Sequence, residues 1–261
     1  MREQGASKAP LPATPTTSKA TAGGFDTAGT TMDEPSATQA GGTGATGMPG
    51  KPRDADSTSP AARDGAPLLK RVGIQAGHWQ TPEVPDELDA LRAYVGISVG
   101  ELEEWEVNLA IARRVASLLQ AAGIDVDVLP ATVPPGYQAD AFVALHCDGE
   151  PSEQRSGFKL GRARWSVIPE ADLALLDAIA QAYQDATDLD IDPFVTEEMT
   201  EYYAFNYGRY RHAIAPTTPA VILEMAFLTS DPDRRLLLDS SDRVAKGIAR
   251  GILHFLRTKP D

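Results

Sequence analysis

The amino-acid sequence predicts an α/β fold, an open and mostly parallel or mixed sheet flanked by helices on both faces. The alternation of strands and helices supports this prediction, and the chain length and the cysteine content limit the alternatives. Beyond residue 67, short apolar runs alternate with longer segments of helical periodicity, the order typical of layered α/β domains. The 194 residues from 68 to 261 suffice for a single core. The single cysteine, Cys147, excludes a framework of intrachain disulfides and a cysteine-rich metal site.

Residues 1–67 differ from the rest in composition. In this segment 47 positions are Ala, Gly, Pro, Ser or Thr, and neither Ile nor Val occurs. Such a segment cannot bury enough apolar surface to offset the entropy lost on folding, so we expect a disordered tail. It is either a linker or a solubilising tail. The predicted organisation is therefore a tail over 1–67 and one folded, catalytic domain over 68–261.

The charge balance argues against two classes of partner. The chain has 24 Lys and Arg against 37 Asp and Glu, a net charge of −13. A surface this negative repels polyphosphate and anionic lipid, which disfavours nucleic-acid and membrane-surface binding. No window reaches the roughly 18 apolar residues of a membrane span. The first residues show no apolar core of a signal peptide.

The first half of the folded part is predicted to contain three strands and one helix. Apolar residues over 101–122 recur every three or four positions, which is helical spacing, and Gly123 is a typical helix stop. The predicted elements are strand Arg71–Gln75, helix Glu101–Ala122, strand Ile124–Leu129 and strand Ala139–Leu145.

The second half continues the alternation of helices and strands. The aromatic-rich segment Leu189–Arg211 is ambiguous, because its pattern suits a lid, a binding surface or core. The remaining predicted elements are helix Pro169–Thr187, strand Ala220–Leu223, and helices Asp231–Leu238 and Asp242–Leu256.

Three predicted strands bring residues with metal or acid–base chemistry to one edge of the sheet. His78, His146 and Glu224 follow three of the strands, and ligands of open α/β sheets bind at the carboxyl ends of the strands. Glu104 lies near the start of the first long helix. Two imidazoles and one carboxylate form a typical catalytic zinc set. A further carboxylate is what hydrolysis needs as general base and acid.

Four strings in the folded part occur in an order that resembles one enzyme family. They are Gly73-Ile-Gln-Ala-Gly-His78, Glu104-Trp-Glu-Val-Asn-Leu-Ala-Ile-Ala112, Ala139-Asp-Ala-Phe-Val-Ala-Leu-His146 and Pro219-Ala-Val-Ile-Leu-Glu-Met-Ala-Phe-Leu-Thr229. Together they resemble the zinc-dependent N-acetylmuramoyl-L-alanine amidases of the Amidase_3 class, from Val72 to about Leu256. The resemblance implies that His78, Glu104 and His146 bind zinc (Zn²⁺) and that Glu224 is the catalytic carboxylate.

The resemblance also implies a reaction and a setting. The enzyme would hydrolyse the amide bond between N-acetylmuramic acid and L-alanine in peptidoglycan or muropeptides. In that reaction Glu224 takes a proton from water and passes it to the leaving amine. We expect a monomer that acts in the cell envelope or outside the cell.

The choice of Glu104 among neighbouring glutamates rests on the register of the resemblance. The family ligand lies four residues before an Asn that precedes Leu, and Asn108-Leu109 matches this pattern. Glu103 and Glu106 are better interpreted as solvated charges that favour a helix start. Cys147 is interpreted as a small buried filler.

The sequence allows more than one role for three other polar residues. His212, Arg209 and Arg211 either border the cleft, where an arginine would bind a substrate carboxylate, or form a surface basic cluster. His254 is expected to be structural.

Several departures from the family pattern leave two alternative functions open. An acidic insertion occupies Thr81–Gly100, Gln75-Ala76 stands in place of an acidic residue, and Asp148 in place of an asparagine. The arginine common between the second and third strands is absent from Ala131–Gln138. These changes fit a zinc hydrolase of another peptide or amide. A non-catalytic wall-binding module is the other alternative.

Overall fold

The computed structural model describes residues 69–151 and 154–258. The tail predicted over 1–67 lies outside the described residues, so this part of the domain organisation stays a prediction. None of the described helices combines the length and apolar composition needed to cross a membrane.

Strands and helices follow one another along the described residues. They are β1 (Arg71–Ala76), two 3-10 helices (Thr81–Glu83 and Asp86–Ala93), β2 (Ser98–Val99), β3 (Leu102–Glu103), α1 (Glu104–Ala121), β4 (Asp125–Leu129), β5 (Ala141–Asp148), β6 (Lys159–Gly161), α2 (Pro169–Thr187), α3 (Glu197–Thr200), a 3-10 turn (Tyr203–Phe205), β7 (Ala220–Phe227), α4 (Asp231–Asp239) and α5 (Ser241–Thr258).

Five strands form one mixed sheet in the order β4-β1-β5-β7-β6. The pairs β1–β4, β1–β5 and β5–β7 are parallel, whereas β6 pairs antiparallel with β7. The predicted mixed sheet with flanking helices is therefore confirmed. Strand β6 was missed, because three residues are too few to show a periodicity.

The two faces of the sheet are covered unequally. The apolar residues of α1, α2 and α5 pack with β1, β5 and β7 in the larger core cluster. The opposite face is covered by short elements, with Leu88, Met199, Tyr203 and Phe205 buried against Phe142. The aromatic-rich segment Leu189–Arg211 thus supplies much of the second core layer.

Helix α1 begins three residues later than predicted. Residues Ser98–Val99 and Leu102–Glu103 pair as a small antiparallel ribbon, which occupies the chain just before the helix. Glu103 and Glu106 then form a capping box at the helix start. These two glutamates therefore belong to the helix cap, and Glu104 becomes the first helical residue, almost fully buried at 2% exposure.

Candidate metal centre

The side chains of His78, Glu104 and His146 converge at the carboxyl edge of the sheet. Their ligand-type atoms lie within 4.8 Å of one another, and no second group of this kind occurs in the part of the chain that the structure describes. Glu104 Oε1 is 3.6 Å from His78 Nε2 and 3.4 Å from His146 Nδ1. Two ligand atoms of a tetrahedral zinc ion lie about 3.4 Å apart. The donor set and its spacing therefore fit zinc.

Glu104 is held by hydrogen bonds to both carboxylate oxygens. Oε1 accepts from the Asn108 side chain at 3.1 Å and from the Cys147 backbone N–H at 3.0 Å. Oε2 accepts from the Ile97 backbone N–H at 3.0 Å. Burial alone would raise the pKa of Glu104, but His146, the charge of His78 and the Cys147 backbone N–H together outweigh burial and lower the pKa to about 2. The group is therefore a carboxylate and a suitable ligand.

His78 lies in a sparsely populated backbone conformation in the turn after β1, one residue beyond Gly77. Its φ of 61° is in the left-handed region, which non-glycine residues adopt mainly where the surrounding structure requires it. Nδ1 is 2.9 Å from the carbonyl oxygen of Tyr94, and this oxygen can only accept. The Nδ1 atom thus carries the proton, and the lone pair of Nε2 is directed towards Glu104.

His146 is delivered by β5, and its ring packs directly on the turn after β1. A Cβ atom on Gly77 would lie 2.3 Å from this ring, so only glycine allows the approach. Burial lowers the pKa of His146, but the nearby carboxylates of Glu104 and Glu224 more than offset burial, so the net shift of the pKa is upward. Nδ1 is directed towards Glu104, while Nε2 lies 3.4 Å from the hydroxyl of Tyr202.

Glu224 lies beside His146 on the neighbouring parallel strand, where the two residues are direct Cα partners. Its Oε2 atom is buried and has no hydrogen-bond partner among the described residues. Burial raises the pKa of Glu224 to about 7, with a smaller opposing effect from His146. A carboxyl group poised in this way can take up and release a proton near neutral pH.

A buried lysine near Glu224 was missed by the sequence analysis. Lys159 of β6 is the cross-strand partner of Glu224, and its ammonium group pairs with Asp148 and lies 4.0 Å from a carboxylate oxygen of Asp192. Only 4% of its side chain is exposed. No local signal marks this lysine, because its strand is too short to recognise.

The other sequence candidates lie outside the three-residue group. Cys147 is buried as predicted, with Sγ 3.4 Å from the Asn108 side chain. His212 pairs at 2.6 Å with Glu87 of the insertion. His254 is exposed on α5.

Comparison with known proteins connects this geometry to a family. The N-acetylmuramoyl-L-alanine amidase AmiC of Neisseria meningitidis serogroup B is 28% identical over 210 residues. The match covers 62% of this chain and 49% of AmiC, so the chain spans about half the length of this curated relative.

Solved structures share the fold. The catalytic domain of CwlV, an N-acetylmuramoyl-L-alanine amidase from Bacillus (Paenibacillus) polymyxa var. colistinus, matches with a TM-score of 0.50 and 24% identity, over 73% of this chain and 100% of that one. Ami1, an N-acetylmuramyl-L-alanine amidase from Mycobacterium smegmatis, matches with a TM-score of 0.53 and 16% identity, over 73% and 98%. Residues 72–254 match the Amidase_3 family, described as N-acetylmuramoyl-L-alanine amidase, and the chain therefore belongs to this family.

Proposed function

We propose that this chain is a zinc-dependent amidase that hydrolyses the bond between N-acetylmuramic acid and L-alanine in peptidoglycan. Membership of the family supports the reaction class. The observation that carries the proposal is the convergence of His78, Glu104 and His146 beside a carboxyl group, Glu224, that has an unpartnered oxygen among the described residues.

In this proposal the three converging residues hold the metal and Glu224 moves the proton. A bound zinc ion supplies Lewis-acid chemistry, which polarises a carbonyl and makes water more acidic. Glu224 accepts a proton from the attacking water through Oε2. It then donates this proton to the amide nitrogen as the carbon–nitrogen bond breaks, so that the products are a carboxylic acid and a free amine.

The substrate indicates the setting of the enzyme. We infer that 68–261 form the catalytic domain, that it acts as a monomer on peptidoglycan or muropeptides, and that it works in the cell envelope or outside the cell. The net charge of −13 is unfavourable for nucleic-acid binding.

The test is mass spectrometry of purified peptidoglycan after incubation with the zinc-loaded protein, with metal content measured in parallel. We expect stem peptides with a free L-alanine amino terminus. Glu224→Gln should keep one zinc per chain and release no such peptides, because the amide retains the shape but cannot act as a base. The matched control is Glu101→Gln. Glu101 is exposed and lies just before helix α1, so this variant should behave as wild type.

Other results would contradict parts of the proposal separately. Zinc at one per chain without peptide release would leave the metal centre in place and overturn the substrate, in favour of another amide. Binding to peptidoglycan that is unaffected by Glu224→Gln, without cleavage, would indicate a wall-binding module.

A further inference from the structure

A pair of polar side chains stands behind His146, on the side away from Glu104. We propose that Tyr202 and Gln75 are positioning residues, which hold His146 in the tautomer and orientation needed for metal binding. The inference rests on the proposed metal role of His146 and assigns to Tyr202 and Gln75 a role that acts through His146.

The hydrogen-bond directions follow from which atoms can donate. The hydroxyl of Tyr202 lies 2.8 Å from Gln75 Oε1, which can only accept, so the hydroxyl proton points to Gln75. Its oxygen lone pairs are then available to His146 Nε2 at 3.4 Å. In the neutral ring that metal binding requires, Nε2 is therefore the protonated nitrogen, and the Nδ1 lone pair faces Glu104 Oε1.

The orientation of the Gln75 amide is determined by its own surroundings. Its Nε2 donates to the backbone carbonyls of Pro130 and Ala131, both at 3.1 Å, and to the hydroxyl of Tyr203 at 2.8 Å. Because two of these partners only accept, the nitrogen end of the amide must face them and the oxygen end must face Tyr202. The side chain is completely buried.

These contacts explain why a neutral amide occupies this position. A carboxylate at residue 75 would accept the bond from Tyr202, but it would also place negative charge against the carbonyl oxygens of Pro130 and Ala131. The glutamine oxygen accepts from the Tyr202 hydroxyl, while its nitrogen donates to the carbonyl groups of Pro130 and Ala131. In this chain Gln75-Ala76 stands where the family has an acidic residue. The carbonyl groups of Pro130 and Ala131 accept hydrogen bonds from the Gln75 amide, which an acidic side chain could not donate.

The ring of Tyr202 is held by neighbouring aromatic side chains. It makes edge contacts with His146 and Phe205, both at 5.6 Å between ring centroids, and with Tyr203 at 4.9 Å. Such packing limits the movement of the hydroxyl relative to His146. The aromatic-rich segment Leu189–Arg211 therefore contributes a support for the metal centre in addition to core.

The test compares Tyr202→Phe with wild type and uses Tyr137→Phe as matched control. Tyr137 is a buried tyrosine whose hydroxyl donates a hydrogen bond to Asp127, far from His146 in the hydrogen-bond network. Loss of a partner of a metal-binding histidine typically weakens metal affinity about 10- to 100-fold. We expect a loss of this size in chelator competition for Tyr202→Phe and none for Tyr137→Phe.

A spectroscopic measurement separates positioning from general destabilisation. In zinc-loaded protein with 15N-labelled histidine, we expect the His146 signals to report a protonated Nε2 and a metal-bound Nδ1. Tyr202→Phe should shift the Nε2 signal, whereas Tyr137→Phe should leave it in place.

Unchanged zinc affinity and an unchanged His146 spectrum in Tyr202→Phe would overturn this inference while leaving the amidase proposal intact. A wild-type protein that binds no zinc would instead overturn the metal role of His146, and this inference with it. If wild type releases stem peptides and binds zinc, a failed test concerns only the positioning role of Tyr202 and Gln75. If wild type releases no stem peptides, the amidase proposal itself has failed.

Discussion

The Nδ1 atom of His78 lies 2.9 Å from the carbonyl oxygen of Tyr94, a residue of the acidic insertion. In the same insertion, the backbone N–H of Ile97 donates a hydrogen bond to Glu104 Oε2 at 3.0 Å. It is also joined to the loop near the second core layer, since Glu87 accepts hydrogen bonds from the backbone N–H groups of Arg211 and His212. The insertion Thr81–Gly100 therefore contacts and supports the residues of the candidate metal centre.

The close approach of Gly96 to two proposed metal ligands, Glu104 and His78, predicts a position-specific effect on metal binding. A Cβ atom at Gly96 would lie 2.8 Å from Glu104 Oε2 and 3.0 Å from a ring carbon of His78. We expect Gly96→Ala to weaken zinc binding by about 10-fold or more, measured by chelator competition.

Gly100→Ala is the control for this substitution. Gly100 also has positive φ, but a Cβ atom added there would have no neighbour within 4 Å among the described residues. Both variants should lose about 1 to 2 kcal/mol of stability from backbone strain. Equal zinc affinities of the two variants would contradict the prediction.

The position of α1 predicts which glutamate binds metal. Glu104 is buried against both histidines, whereas Glu106 is exposed and belongs to the helix cap. We expect Glu104→Ala to abolish stoichiometric zinc binding and Glu106→Ala to retain it, as measured by metal analysis after dialysis. Glu106→Ala should cost only about 1 kcal/mol, through the lost cap. Retention of zinc by Glu104→Ala would exclude Glu104 as a ligand.

Burial of Glu224 predicts a pH-dependent stability of the metal-free protein. Its pKa is raised from 4.5 to about 7 in the fold, so between these values the native state binds more protons than the unfolded state. The contribution of this group to stability is therefore present at low pH and is lost as pH rises through about 7.

Glutamine does not titrate, so Glu224→Gln should gain stability relative to wild type as the pH rises from 5 to 8. The measurement is thermal unfolding of both proteins in EDTA across this range, with Glu101→Gln as a carboxylate control that follows wild type. A difference that stays constant with pH would contradict the raised pKa.

The buried ion pair of Lys159 with Asp148 predicts a stability effect that depends on both partners. Breaking such a pair leaves an uncompensated charge, so Lys159→Met should lower the free energy of unfolding by about 3 kcal/mol. Adding Asp148→Asn should restore part of this loss, because the second charge is also removed. Urea unfolding of the single and double variants tests this, and a double variant no more stable than Lys159→Met would contradict it.

Regular segments were predicted well because their patterns are local. Helix α2 occupies Pro169–Thr187 in the structure, the range that its apolar periodicity predicted. Errors occurred where pairing with another segment competes with local periodicity. The ribbon of β2 and β3 displaces the start of α1, and β6 exists because β7 offers a free edge.

The sequence by itself determined the fold class, the order of most elements and four candidate residues, because strand ends and family strings are local features. Tertiary structure alone decided how these residues are supported. Tyr202 and Gln75 are 127 positions apart in sequence, and Tyr94 reaches His78 through an insertion that has no regular pattern. Such contacts depend on where whole elements pack against one another, and the spacing of residues along the chain carries no information about that packing.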